Sequence, residues 1–239
     1  MVSTGNPRVV RARPAAPPAL APGLRGSAGI GALLLVVPAL MFAGDTGPSR
    51  IDRRVQHLVD GSAAGAWDMA HSLDWLGEPA GRTLMVLALA ALCLVAKRPA
   101  LAATAVVGIA AISVLTTVLK PIVDRRIHDG FLSYPSGHTA AVTAAAMVVG
   151  LLLADLLHAG AVTGTAIVLA TAVLGGGLMA GAQISLSAHY PTDTLGGFGC
   201  ALLVIPLTAA LIDRLVRLRT VRPADGDGHR PTRNGGTPA

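Results

Sequence analysis

Apolar residues gather into six long blocks, residues 28–43, 83–96, 100–119, 139–159, 161–184 and 194–212, divided by short polar breaks. A helix needs about 20 apolar residues to cross a bilayer. Read as spans, the six blocks predict an all-α, polytopic membrane helical bundle. The second block is short, and Arg82, Lys97 and Arg98 at its ends are expected to snorkel outward and extend it. The fourth and fifth blocks are joined by a tight turn at 158–160. Residues 44–81 are mixed. Ile51, Val55, Leu58 and Val59 recur at helical spacing, and Trp67, Met69, Leu73 and Leu76 roughly so. These segments read as short amphipathic helices lying on the membrane surface, with Trp67 and Trp75 at the interface.

The ends of the chain differ from this core. Residues 1–27 are rich in Pro, Ala and Arg without apolar periodicity, and residues 214–239 are basic and polar. Both are expected to be disordered cytoplasmic tails flanking a membrane domain over 28–213, with its core at 100–212. The first block resembles a signal peptide, but no clear A-x-A site follows it, which favours an uncleaved span.

Composition agrees with lipid as the main solvent. The chain of 239 residues is 52% hydrophobic and 13% charged, against about 25% charged for a soluble domain, and mean hydropathy is +0.61. The net charge of +6 raises nucleic-acid binding as a reading. No basic face interleaved with aromatics accompanies it, so no nucleic-acid partner is expected. The basic residues instead lie largely in the tails and at Lys97–Arg98, which a six-span topology puts on one side. That side is expected to be cytoplasmic, although Arg50, Arg53, Arg54 and Arg82 fall on the other. Cys93 and Cys200 lie within apolar blocks and offer neither a disulfide framework nor metal-ligand spacing.

Six spans bring two distant polar loops, 120–137 and 185–193, to the same outward face. The first ends in "FLSYPSGHTA", the second reads "SLSAHYPTDTLGG". His189 and Asp193 are four apart and share a face if helical. The carboxylate can then fix the imidazole tautomer and make the ring a competent nucleophile or base. Ser136 and Gly137 stand where the fourth span begins. A helix start offers free N–H groups and a positive dipole end, and Lys120 and Arg125 add cationic charge. His138 is a second imidazole beside this anion pocket. Two histidines with a cationic cradle form a phosphoryl-transfer layout, one attacking phosphorus and the other protonating the leaving oxygen. The bland alternative for "PSGH" alone is a turn with a helix cap.

Lys120 to Arg125, "PSGH" at 135–138 and "HYPTD" at 189–193 resemble the phosphatidic acid phosphatase type 2 superfamily, the membrane lipid phosphatases related to vanadium haloperoxidases. The resemblance covers roughly residues 100–212. It implies that His189 is the nucleophile forming a phosphohistidine, Asp193 its orienting partner and His138 the general acid. Lys120, Arg125, Ser136 and Gly137 would hold the phosphate, and no metal or other cofactor is implied. Two departures stand out. The family's first motif closes with Arg-Pro where this chain has Ile127 and His128, so Arg125, with Arg126 beside it, is expected to take over that contact. The third motif opens with Ser-Arg where this chain has Ala182 and Gln183, which leaves the pocket less cationic.

The resulting expectation is a multi-pass cell-membrane hydrolase, with both termini cytoplasmic and the site outward, that cleaves a lipid phosphomonoester or diphosphate. Undecaprenyl diphosphate, phosphatidic acid and a polyprenyl-linked sugar phosphate all suit it. Two rivals remain: an impaired relative that binds or carries phospholipid, motivated by Ile127 and Gln183, and a transporter. The near absence of charge within the spans argues against the transporter.

Overall fold

The structure, a computed structural model, describes residues 13–60, 67–128 and 130–221. It is helical almost throughout. After a 3-10 turn at Pro18–Leu20 come α1 (Ala21–Met41), α2 (Arg50–Asp60), α3 (Trp67–Gly77), α4 (Pro79–Val95), α5 (Pro99–Val123), α6 (Gly137–Leu156), α7 (Ala161–Ser185) and α8 (Pro191–Val221). Between α5 and α6 a small antiparallel hairpin pairs β1 (Arg126–Ile127) with β2 (Phe131–Leu132).

Local chemistry sets several of these boundaries. Pro at the first position starts α4 and α5, where its missing N–H costs nothing. Helix α5 ends on Asp124 in the left-handed region at φ 50°, a conformation Asp tolerates better than most residues. Helix α6 is capped by Ser136, whose hydroxyl oxygen accepts from the Thr139 N–H.

Helix α6 is the most enclosed element. Its Ala140, Ala144, Met147, Val148 and Leu151 are fully buried among α5, α7 and α8, and α1 lies along α8. Large apolar side chains such as Leu33 on α1, Leu87 on α4 and Leu174 on α7 instead face outward, as a lipid-facing surface requires. Five helices are long and apolar enough to cross a membrane, and a sixth span exists if α3 and α4, bent by 72°, count as one. The protein is thus a polytopic helical bundle. The short second block lies in α4, which passes as a span only when α3 is counted with it.

The ends of the bundle are distinct. At one, the Ala15 N–H donates to Asp213 Oδ1 at 2.6 Å, and Arg98 pairs with Asp155. At the other lie the hairpin loop and the turn before α8. Ala15 and Asp213 therefore meet at the end away from the polar loops.

Three boundaries differ from those read off hydropathy. Helix begins at Pro18, ahead of residue 28, and α8 runs to Val221, past residue 213. Helix α5 continues through Lys120, which sits in its last turn rather than in a loop. The outer parts of the expected tails, residues 1–12 and 222–239, lie outside the described residues.

Candidate active site

The two loops meet. The Ser136 N–H donates to the Asp193 carbonyl at 3.0 Å, tying the start of α6 to the start of α8. A Cβ at Gly197 would lie 2.3 Å from the Ser136 carbonyl oxygen, so the approach depends on glycine there. Lys120 reaches the same end from α5, and the charges that His138 feels are those of Asp74, His189, Arg82 and Lys120. The sequence-predicted residues His138, His189, Asp193, Lys120, Ser136 and Gly137 therefore share one end of the bundle.

His189 is 7% exposed, and its Nδ1 faces Asp193 Oδ2 at 3.8 Å. That separation is an ion-pair contact rather than a hydrogen bond, and Nδ1 is buried with no hydrogen-bond partner. Asp193 is fully buried and anchored from two sides. Its Oδ2 accepts from the Tyr190 N–H at 3.0 Å, and its Oδ1 accepts from Arg125 Nη1 at 2.5 Å.

Arg125 does not lie open to a phosphate, as the sequence reading expected. It is fully buried, with Nη1 also donating to Thr192 Oγ1 at 2.6 Å and Nη2 to Asp52 Oδ2 at 2.7 Å. The Phe42 and Tyr190 rings flank its guanidinium at 4.5 and 4.7 Å. Its two carboxylate partners fix it behind Asp193. Arg126 is half-exposed, paired with Asp124 at 2.6 Å and bonded to the Gly130 carbonyl.

Asp52, from α2, completes this buried cluster. Its Oδ1 accepts from the Thr192 N–H at 2.9 Å and the Thr192 hydroxyl at 2.8 Å, and its Oδ2 accepts from the Ser49 N–H at 2.9 Å. Burial works to raise the Asp52 carboxyl. The donors of Thr192 and Ser49 outweigh it and hold the group below its ordinary value.

On the other side of the site, α3 and α4 press against His138. A Cβ at Gly77 would fall 1.9 Å from the His138 ring. His138 Nε2 lies 3.4 Å from Asp74 Oδ1 and 4.0 Å from Glu78 Oε1. The same Asp74 oxygen accepts from Gln183 Nε2 at 2.7 Å, so the amide that stands in a cationic position of the family pattern is already engaged. Arg82 of α4 turns inward rather than snorkelling: Nη1 donates to Ser113 Oγ at 3.2 Å and Nη2 to the Gly77 carbonyl at 2.5 Å. Ile127 is buried on the hairpin. His128 stands at φ 31°, its Nε2 at 2.9 Å from the Ser187 carbonyl.

A cavity of about 290 Å³ opens beside His189 between α2 and the two loops, lined by Arg53, His57, His128 and Tyr190 among others. A cavity of equal size lies at the opposite end, between the chain ends, far from the histidines. Among the described residues, Asp74, Glu78 and His138 bring ligand atoms within 4.8 Å of one another and could hold a cation. Arg82 and Lys120 beside His138 oppose one there.

Sequence reasoning missed Asp52, Asp74 and Thr192, and misread Arg82. Asp52 had a local signal: Ser49 and Asp52 form a reciprocal cap, with the Asp52 N–H donating back to Ser49 Oγ at 3.1 Å. Its long-range partners, 73 and 140 residues away, had none.

A bundle of membrane-length helices that gathers two histidines, a buried aspartate and cationic side chains at one end has the make-up of a membrane phosphatase. Residues 101–217 match the family model of the PAP2 superfamily, and the chain belongs to that superfamily, whose members are phosphatases. No curated protein and no solved structure matches the chain. The matched stretch holds both histidines, Asp193 and Lys120, but not Asp52, Asp74 or Arg82.

Proposed function

We propose that the protein hydrolyses a lipid phosphomonoester or diphosphate at the outer membrane face through a phosphohistidine. Lys120, Ser136 and the N–H groups at Gly137 hold the phosphate at the positive end of α6. The free nitrogen of His189 attacks phosphorus, and the P–O bond to the leaving group breaks. Its electron pair stays on the leaving oxygen, which takes a proton from His138. Water then attacks the phosphohistidine and gives a proton to His138. The P–N pair returns to His189, and inorganic phosphate departs. Asp193 orients His189, and Arg125 acts through Asp193 as a positioning residue. Arg126, at the exposed hairpin, is left for headgroup contact.

The observation that carries this reading is the Ser136–Asp193 hydrogen bond, because it joins the loop bearing one histidine to the loop bearing the other. A lipid substrate is favoured because the site opens at the end of a bundle of membrane-length helices, where a headgroup would lie. The outward orientation rests on the basic tails.

The test is phosphate release in detergent with EDTA present, from a panel of lipid phosphates, for the wild type and His189→Ala. Release by the wild type alone is expected. A bell-shaped pH profile should accompany it, since the nucleophile must be neutral and the acid protonated; a flat profile from about pH 5 to 9 would sink the two-histidine assignment. Wild type that binds lipid phosphate but releases none would support a phospholipid-binding relative, the reading favoured by the engagement of Gln183 with Asp74.

A further inference from the structure

We propose that Arg82, on α4 and outside the family-matched segment, is a ligand of the substrate phosphate and supplies cationic charge that Ile127 and Gln183 leave missing. The inference rests on the phosphatase reading of the cradle around Ser136 and Gly137.

Arg82 lies in the first turn of a helix that carries no other charged residue. A guanidinium in such a place is costly unless it is paired or functional. Its two terminal nitrogens bond the Ser113 hydroxyl and the Gly77 carbonyl, both neutral acceptors. Its Nε is buried and has no hydrogen-bond partner. Among the described residues no carboxylate stands within ion-pair distance of it, although the charge of Glu78 reaches it. The hydrogen bonds fix where the group points without neutralising it.

Its position selects the ligand. A Cβ at Gly137 would lie 4.0 Å from Arg82 Nη2 and 3.5 Å from Thr116 Oγ1. The guanidinium therefore stands beside the first turn of α6, at the point where backbone N–H groups and the helix dipole already favour an anion. Lys120 and His138 both feel its charge. Cations held this close repel one another, and an anion between them relieves the repulsion. A phosphate dianion fits that demand, and a guanidinium can bind it through two nitrogens. The 72° bend between α3 and α4 brings Arg82 to this point, with the Gly77 carbonyl at the bend as its anchor.

The experiment measures inorganic phosphate and orthovanadate binding by calorimetry on the full chain in detergent, so that it does not depend on turnover. Arg82→Gln should weaken both anions at least tenfold, equivalent to about 1.4 kcal/mol. Thr83→Ala, whose exposed hydroxyl bonds only the Pro79 carbonyl, alters the same turn without touching the charge and should stay within twofold of wild type. Phosphate affinity unchanged in Arg82→Gln would overturn the inference. So would an equal loss in Thr83→Ala, which would show that the start of α4 matters and the charge does not. Should Arg82→Gln fail to fold, arylglyoxal modification of the wild type, read by mass spectrometry, gives the answer. Phosphate should slow modification of Arg82, and an unchanged rate refutes the assignment. Arg82-dependent phosphate binding in a wild type that hydrolyses no lipid would uphold this inference while rejecting the phosphatase reading.

Discussion

Asp52→Asn is the sharpest probe of how the site is held. Asp52 is fully buried and accepts from four donors: the Ser49 N–H, the Thr192 N–H and hydroxyl, and Arg125 Nη2. An asparagine has one acceptor oxygen in place of two. Turned toward Thr192, its NH2 confronts the Ser49 N–H and the Arg125 guanidinium, and turned the other way it confronts both Thr192 donors. Either choice loses a charge-assisted bond, worth about 1.5–3 kcal/mol, and leaves a buried donor unpaired at about 1–3 kcal/mol. Arg125 keeps Asp193, so the full penalty of a stranded buried charge is not reached. The expected loss is about 3 kcal/mol, or about 6–12 °C in Tm for a chain of this size. Cys93 and Cys200 are free and fully buried, so a thiol-reactive fluorophore reports unfolding in detergent directly. Phosphate release should fall about ten- to a hundredfold as Asp193, and with it His189, loses its backing. A variant within about 2 °C of wild type, with unaltered turnover, would refute the claim that this cluster holds the site.

The same carboxylate predicts a pH effect. Its folded value is depressed, so its contribution is present above the unfolded value of about 3.9 and is lost as pH falls through the folded one; the Tm gap between wild type and Asp52→Asn should narrow below about pH 4, and a constant gap would contradict it. Gly77→Ala places a methyl group in the His138 ring; phosphate release should drop more than about tenfold with unchanged helical circular dichroism, and full activity would show that α3 does not pack as described. Gln183→Arg puts a cation beside Asp74 and His138; it should strengthen product inhibition by phosphate by about three- to tenfold, and a weakened inhibition constant would mean that Asp74 absorbs the added charge.

The bundle was legible because its signal is long and additive: each apolar block averages over many residues, and five of the six became helices of spanning length. The His189–Asp193 and Ser136–His138 groups were legible because each lies within five consecutive residues at the start of a helix. Arg125 was not. A cationic residue near a phosphate motif reads as a phosphate ligand until its partners are known, and Asp52 and Asp193 lie 73 and 68 residues from it. Arg82 was misread for a related reason. A cation at the edge of an apolar block usually extends toward water, and only the bend after Gly77 turns this one inward.

The site is therefore wider than the segment that identifies it. Residues 101–217 carry both site histidines, yet one of the two carboxylates that hold Arg125 comes from α2, and the partner of both Gln183 and His138 comes from α3. A segment cut at residue 101 would keep Arg125 against Asp193 but leave its Nη2 without Asp52. It would also strip the Thr192 N–H of its acceptor and free the Gln183 amide. Each buried donor so orphaned costs about 1–3 kcal/mol, comparable in sum to much of the stability of an ordinary domain. The helices before the matched segment are thus physically part of the site: they close its electrostatics on two sides, by Asp52 behind Asp193 and by Asp74 and Arg82 beside His138.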